Sequence, residues 1–481
     1  MYSLVRCCDR LLILALMRKA NVIFDKCGES RLNTFCLVLR AAPTSDNPYV
    51  NQVEGALVYC LVCDDDPTSA VTKATFKVKQ LNWEVLKLEQ SPREVTEKDY
   101  LDKDIGLERY RAAQAEGMSV AFAAWSKDGK TSFGPVELDA DSDFVLSEYL
   151  TEIGSLKRKG RCLHFDAGSE CNNPIDAHSI QKGAVLSLVA RNGKIYAPSK
   201  NIGDTKRNKG RITLTEQGVN RVSTFRGFCG KHDNELFEPI DNSPLAPNPE
   251  QIALYAYRSL CREVFVKENA VALFRDSPKI RPRNKANQEV FDAMAEGSQI
   301  ALKNLYAHKR KFDSLFKSKC FDNLRSVLFH SLQPPSVVFS GLLSPDFDFL
   351  GNQLQDLSDR DGELDLITFS FAPMSQGWAC LFAWLTDSSQ SCVPLMRSLA
   401  TRVHDDGGLG DLLFRFVISN CENLAISPTW WESLTEDQRE EITKSANHMA
   451  DVFSLPRHDY LLPGLSNIPQ WEVDHVISDL E

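Results

Sequence analysis

The chain has 481 residues, of which 43% are hydrophobic and 25% charged, with a formal net charge of -10. At roughly 150 residues per compact unit, that length holds several domains, and the average composition excludes a disordered or collagen-like chain. The acidic balance excludes a wholly basic nucleic-acid coat, so contact with nucleic acid falls to local basic patches.

The apolar part of the opening, residues 11–17, is too short to span a bilayer, and no small-residue cleavage pattern follows it. Met17 begins a second plausible opening, so translation is expected to start at Met1 or at Met17. With no membrane segment or secretion signal, the 14 cysteines are expected as reduced thiols or metal ligands in a cytoplasmic protein.

Residues 1–145 predict an N-terminal α+β domain. Runs 34–39 and 55–63 are β-rich, 75–88 alternates as a half-buried strand pair would, and 105–116 reads as a helix before the apolar run 118–125. Cys60 and Cys63 have CxxC spacing, but residues three apart lie on opposite faces of a strand, so packing is expected of them. Residues 150–245 change character, with basic clusters at 157–161 and 206–211 and a group of cysteines and histidines. A Pro-rich linker, 239–250, ends that segment. Region 246–330 predicts two long helices, broken by prolines near 278–282. Region 335–481 predicts a C-terminal α/β unit, with strands at 337–343, 366–371 and 378–385 followed by helices near 394–403, 410–421 and 435–453.

The central segment carries the chemistry. Zinc takes four thiolate or imidazole ligands in a tetrahedron. Cys229 and His232, as Cys-x2-His at the start of a short helix, suit one half of such a site. The other half has three candidates, Cys162, Cys171 and His178. A Cys162/Cys171 pair gives Cys3His and leaves His178 free for chemistry, whereas Cys171/His178 gives Cys2His2 and makes His178 structural.

The pieces Ala177-His178-Ser179-Ile180, Asn220, and Cys229-x2-His232-x4-Phe237 resemble the AH-I, N and C-x2-H-x4-F succession of HNH-type, treble-clef nucleases, over about residues 160–240. The same stretch is similar to uncharacterised bacterial proteins carrying a zinc-binding module. The resemblance implies structural Zn2+, His178 activating water, Asn220 orienting the active-site loop, and Asp233 helping to hold catalytic Mg2+ or Mn2+. The position of Asp233 is histidine in the family pattern, and the interval from His178 to Cys229 is long, with an expected helix at 180–190 and strand at 194–197.

Basic clusters at 157–161, 206–211, 279–285 and 308–311 are candidates for phosphate contact. The Pro-x-Trp-Trp turn at 428–431 suits core packing better than base stacking. No P-loop, dinucleotide fingerprint or nucleophile elbow is present. The expectation is therefore a multidomain α+β protein of the bacterial cytoplasm, with a zinc-stabilised treble-clef-like module acting on DNA or RNA. HNH-like endonuclease activity in anti-phage defence is its sharpest form. The competing expectation is a non-catalytic protein-interaction or regulatory protein whose zinc is purely structural.

Overall fold

A computed structural model describes residues 33–481 except 48–49, 52, 101–103, 127–131, 134–145, 172, 200–212, 282–284, 358, 360–361, 407, 448–459, 462–470 and 481. The two candidate starts, the basic loop 206–211, part of the cluster 279–285 and the end of the helix expected to reach 453 lie outside the described residues. The protein is mixed α and β, with more than one sheet.

The first sheet is antiparallel, with five strands in the order β3-β1-β2-β4-β5: β1 (Asn33–Pro43), β2 (Val53–Asp64), β3 (Trp83–Val95), β4 (Met118–Ser126) and β5 (Ser132–Phe133). Helix α1 (Pro67–Gln80) precedes β3 and α2 (Asp104–Glu116) follows it. The strand pair expected over 75–88 is thus corrected, because its first half completes α1. Asp66 caps that helix by accepting from the Ser69 amide at 2.7 Å, Pro67 opens it, and Ala70, Ala74 and Val78 bury one face at four-residue spacing.

Helix α3 (Leu146–Lys159) leads into the central segment. There β6 (Pro174–His178) pairs antiparallel with β9 (Thr224–Cys229), and α4 (Gly230–Asp241) follows directly. Between β6 and β9 the chain makes a widened helical turn at Lys182–Leu186, a single turn at Ser187–Val189 in place of the longer helix expected, and the hairpin β7 (Lys194–Pro198) and β8 (Leu214–Gly218). Helices α5 (Pro249–Asp276) and α6 (Lys285–Ser318) come next.

The second sheet has eight strands in the order β15-β10-β13-β12-β11-β14-β7-β8. Its remaining members are β10 (Leu324–Ser331), β11 (Val337–Leu343), β12 (Ile367–Pro373), β13 (Trp378–Leu385), β14 (Leu424–Ile426) and β15 (His475–Ser478). This sheet draws strands from both the 150–245 and the 335–481 segments. Residues alternate between its faces: Leu381, Ala383 and Leu385 join the core shared with α5 and β9, while Cys380, Phe382 and Trp384 join the core with α7 (Ser389–Asp406) and α8 (Leu409–Asn420). Both faces are covered, which is why β13 reads as a continuous apolar run. Helices α9 (Pro428–Ser433) and α10 (Glu436–Asn447) close the fold. Trp431, in the Pro-x-Trp-Trp turn, is buried 5.8 Å from the Tyr196 ring.

Candidate metal centre

The segment after α3 is shaped by Gly160, at φ +50°, where a Cβ would collide with the Arg226 carbonyl. The chain then runs beside β9, with the Arg161 amide donating to Arg226 O at 3.1 Å and the Leu163 amide to Gly227 O at 2.8 Å. Below this knuckle the Tyr257 hydroxyl donates to Asp313 Oδ1 at 2.6 Å and lies 3.1 Å from Leu163 O, and the Lys309 ammonium holds both Asp313 oxygens at 2.9 Å. The long helices α5 and α6 thereby fix the loop that carries Cys162.

Ligand-type atoms of Cys162, Cys171, Cys229 and His232 all lie within 4.8 Å of one another. His232 Nδ1 is 3.4 Å from Cys162 Sγ and 3.3 Å from Cys171 Sγ. A tetrahedral ion with arms of about 2.3 Å to sulfur and about 2.05 Å to nitrogen separates S from N by roughly 3.6 Å, so these gaps close on a metal of zinc size with shifts of a few tenths of an ångström. Three soft thiols and one imidazole are also the donor set that zinc favours. Burial pushes the Cys162 thiol up to about 11, against hydrogen bonds from the Cys229 and His164 backbone that lower it. Burial acts on Cys229 too, but the backbone of His232, the Cys162 and Cys171 thiols and the Lys231 backbone together hold its pKa below the usual value. Cys229 is the N-cap of α4, where the free amides of the first turn favour a thiolate.

His178 is outside this group. Pro174 pairs with Cys229, whereas His178 pairs with Thr224 at the far end of the same hairpin. The four steps between Pro174 and His178 span about 13 Å of strand, too far for one ion. Of the two arrangements open from sequence, the geometry assembles Cys3His.

His164, which sequence reasoning missed, lies flat against His232, with ring centroids 3.9 Å apart and planes 5° apart. Its Nδ1 accepts the Asp166 amide at 3.0 Å, leaving any ring proton on Nε2. Burial and the His232 ring lower its pKa to about 4. The Cys162-x-His164 spacing was the available signal.

No protein-family model, curated protein or solved structure matches the chain.

The function must therefore be read from the residues. At the far end of the hairpin the His178 ring is half-buried, and its Nε2 is inaccessible to solvent without a hydrogen-bond partner among the described residues. Burial lowers its pKa, the Val219 backbone partly offsets this, and Lys182 and Arg258 lower it further.

Asn220 is exposed in the turn Val219–Arg221, which leads to β9. Asp233 lies in the first turn of α4. Burial raises its pKa, Arg258 lowers it and Asp241 raises it. Arg258, also missed from sequence, lies 4.0 Å over the Phe237 ring and grips Asp241 through two bonds of 2.7 Å. Asp233, Phe237 and Asp241 recur at four-residue spacing, the periodicity of one helix face, and this was the signal for Arg258's partners.

Among the basic clusters, the one at 308–311 is largely committed within the fold: His308 bonds Leu364 O at 2.9 Å, Lys309 holds Asp313, and Lys311 pairs with Glu363 at 2.5 Å. Arg158 and Lys159, in the last turn of α3, are exposed. No helix among the described residues is long and apolar enough to cross a membrane.

Proposed function

We propose that this protein is a zinc-stabilised, HNH-like phosphodiesterase acting on DNA or RNA, with a treble-clef-like module at its centre. The observation that carries the reading is His178 Nε2 itself, buried from solvent and paired with no described residue. Buried polar atoms are rarely left unpaired without a role, and a neutral imidazole so placed is suited to take a proton from water. Zn2+ on Cys162, Cys171, Cys229 and His232 would cross-link the knuckle, the end of β9 and the start of α4. Asp233 offers the single carboxylate with which Mg2+ or Mn2+ commonly binds when substrate phosphate and water complete the shell, and such an ion would supply Lewis-acid polarisation. Asn220 stands in the turn Val219–Arg221 that leads into β9, so its part would be to shape that turn. Exposed Arg158 and Lys159 would meet phosphates beside the zinc site. A bacterial cytoplasmic setting and a defence role belong to the same proposal and rest on the sequence resemblance.

The test is cleavage of single- and double-stranded DNA and RNA by zinc-loaded protein, with and without Mg2+ or Mn2+. His178→Ala is expected to abolish cleavage while zinc content and far-UV circular dichroism stay at wild-type values. Absence of cleavage by the wild-type protein on all four substrates would sink the catalytic reading.

One observation favours a second reading, in which zinc is structural and the protein only binds partners. The Arg258 guanidinium already sets a positive charge near Asp233, where a divalent ion would otherwise be drawn. Under that reading no ion supports cleavage, yet loss of Cys229 still lowers zinc content and stability.

A further inference from the structure

The end of the hairpin that bears His178 is closed by buried polar groups. Ser223 takes φ +63°, a left-handed conformation unusual for a residue with a side chain. Its backbone oxygen accepts from the Ser179 amide at 2.9 Å. Its Oγ accepts from the Ile180 amide at 2.8 Å and lies 2.7 Å from Ser179 Oγ. Ser179 Oγ is also 3.3 Å from Ser223 O and receives a bond of 2.8 Å from Asn423 Nδ2. Asn423 belongs to the second sheet: between α8 and β14, its Nδ2 also donates to Ser340 O at 3.0 Å, and its own carbonyl accepts from the Ser340 amide at 3.1 Å. Ser179, Ser223 and Asn423 are all at least nine-tenths buried.

With these partners, one assignment of hydroxyl protons leaves no donor unpaired. Ser223 Oγ-H donates to Ser179 Oγ, Ser179 Oγ-H donates to Ser223 O, and Ser179 Oγ accepts Asn423 as its second bond. Asn423 thus donates from the second sheet into the hairpin, while the two serines bond each other reciprocally. The network clamps the residue after His178 to the residue before Thr224, the two positions that close the β6-β9 pair.

We propose that Asn423, acting through Ser179 and Ser223, is a positioning residue for His178. The relay holds the end of the hairpin so that the imidazole keeps one orientation, with Nε2 withdrawn from solvent and from every described partner. It ties the His178 end of the hairpin to the second sheet by hydrogen bonds. This rests on the reading of His178 as the proton-accepting group.

The test is a long-range proton-nitrogen spectrum of histidine-labelled, zinc-loaded, full-length protein, with His178→Gln to assign the His178 ring. In the wild type the two ring nitrogens are expected well apart, one protonated and one bare. In Asn423→Ala and in Ser223→Gly they are expected to move toward a common averaged position, with zinc content unchanged. Ser223→Gly separates hydroxyl from backbone, because glycine adopts the positive φ without steric cost, and it decides the matter if Asn423→Ala does not fold. An unchanged His178 pair in a folded variant, even with a lowered melting temperature, overturns the proposal, as does loss of fold or zinc in both variants. Lack of nuclease activity in the wild type would remove the base role but leave this spectrum meaningful. An unchanged spectrum would remove the relay and leave any cleavage intact.

Discussion

Replacing Cys229 by serine should remove most of the metal and with it a measurable part of the stability. Its Sγ lies within 4.8 Å of the ligand atoms of Cys162, Cys171 and His232, and a serine hydroxyl neither ionises near neutral pH nor offers soft sulfur. With free zinc about 1,000-fold above its dissociation constant, binding to the folded state alone contributes roughly 4 kcal/mol. At about 2.1 cal/mol/K per residue, unfolding this chain as one unit releases on the order of 1 kcal/mol/K, so the melting temperature should fall by about 4 °C. If the metal-bearing part unfolds separately, the same energy acts on a smaller entropy and the drop is larger. The assay is zinc per chain after exhaustive dialysis, with thermal melts before and after chelation. Cys171→Ser should behave like Cys229→Ser, although Cys171 is more exposed, while His178→Ala should retain zinc because β6 separates it from the cluster. Equal zinc in wild type and Cys229→Ser, or a wild-type melt indifferent to chelator, would refute the four-ligand site.

Other substitutions test the surroundings. Phe237 is fully buried, edge-on to Phe228 at 5.1 Å and under Arg258, so Phe237→Ala should cost about 3–5 kcal/mol in denaturant unfolding. Gly410→Ala should give little soluble protein, since a Cβ there would collide with the carbonyl of Trp471, whose ring packs against Phe414 and Phe339. His308 should contribute to acid lability. Burial lowers its folded pKa, countered by the Leu364 backbone and Glu363 and reinforced by Lys311. As pH falls through about 6.5 the unfolded chain takes up a proton that the folded one resists, so stability is full above that pH and declines below it. His308→Gln should flatten the fall of melting temperature between about pH 6.5 and the lowered folded value, and an unchanged slope would assign the lability elsewhere.

Much of the fold was legible where periodicity is strong. The long helices α5 and α6 and the apolar strands β11 and β13 follow from runs that no other element could bury. The error at 75–88 came from Lys77, Lys79 and Trp83-Glu84-Val85, which alternate in sequence but lie on opposite sides of the chain reversal at Leu81 and Asn82. Asn82 takes φ +62° there, and no local pattern announced the turn. At the metal centre, Cys229 and His232 were readable because both sit on one short segment. The choice among Cys162, Cys171 and His178 was not, because it depends on strand register: which residue of β6 stands opposite Cys229 is set by pairing across a long insertion. Arg258 and Asn423 were illegible for a similar reason. Their partners lie 17 and 244 residues away, and only the packed structure brings them together.

The insertion itself bears on what the central segment can be. In a self-contained zinc module the chain between β6 and β9 would be an excursion that could be shortened without consequence. Here β7 pairs with β14 through Tyr196 and Ile426, and β8 forms the edge of the eight-stranded sheet. Ile180, Val185, Leu186, Val189, Ile195 and Val222, all from this insertion, are buried in the same core as Phe339, Phe416 and Trp471. Excising residues 160–245 would expose that apolar face and remove Asn423 from Ser179 together. The metal end of the hairpin packs on α5, α6 and one face of the second sheet, and the His178 end is hydrogen-bonded to that sheet through Asn423. A zinc cluster that only stabilised the hairpin would need the first of these supports. The second fixes the end where the unpaired imidazole nitrogen lies, away from the metal.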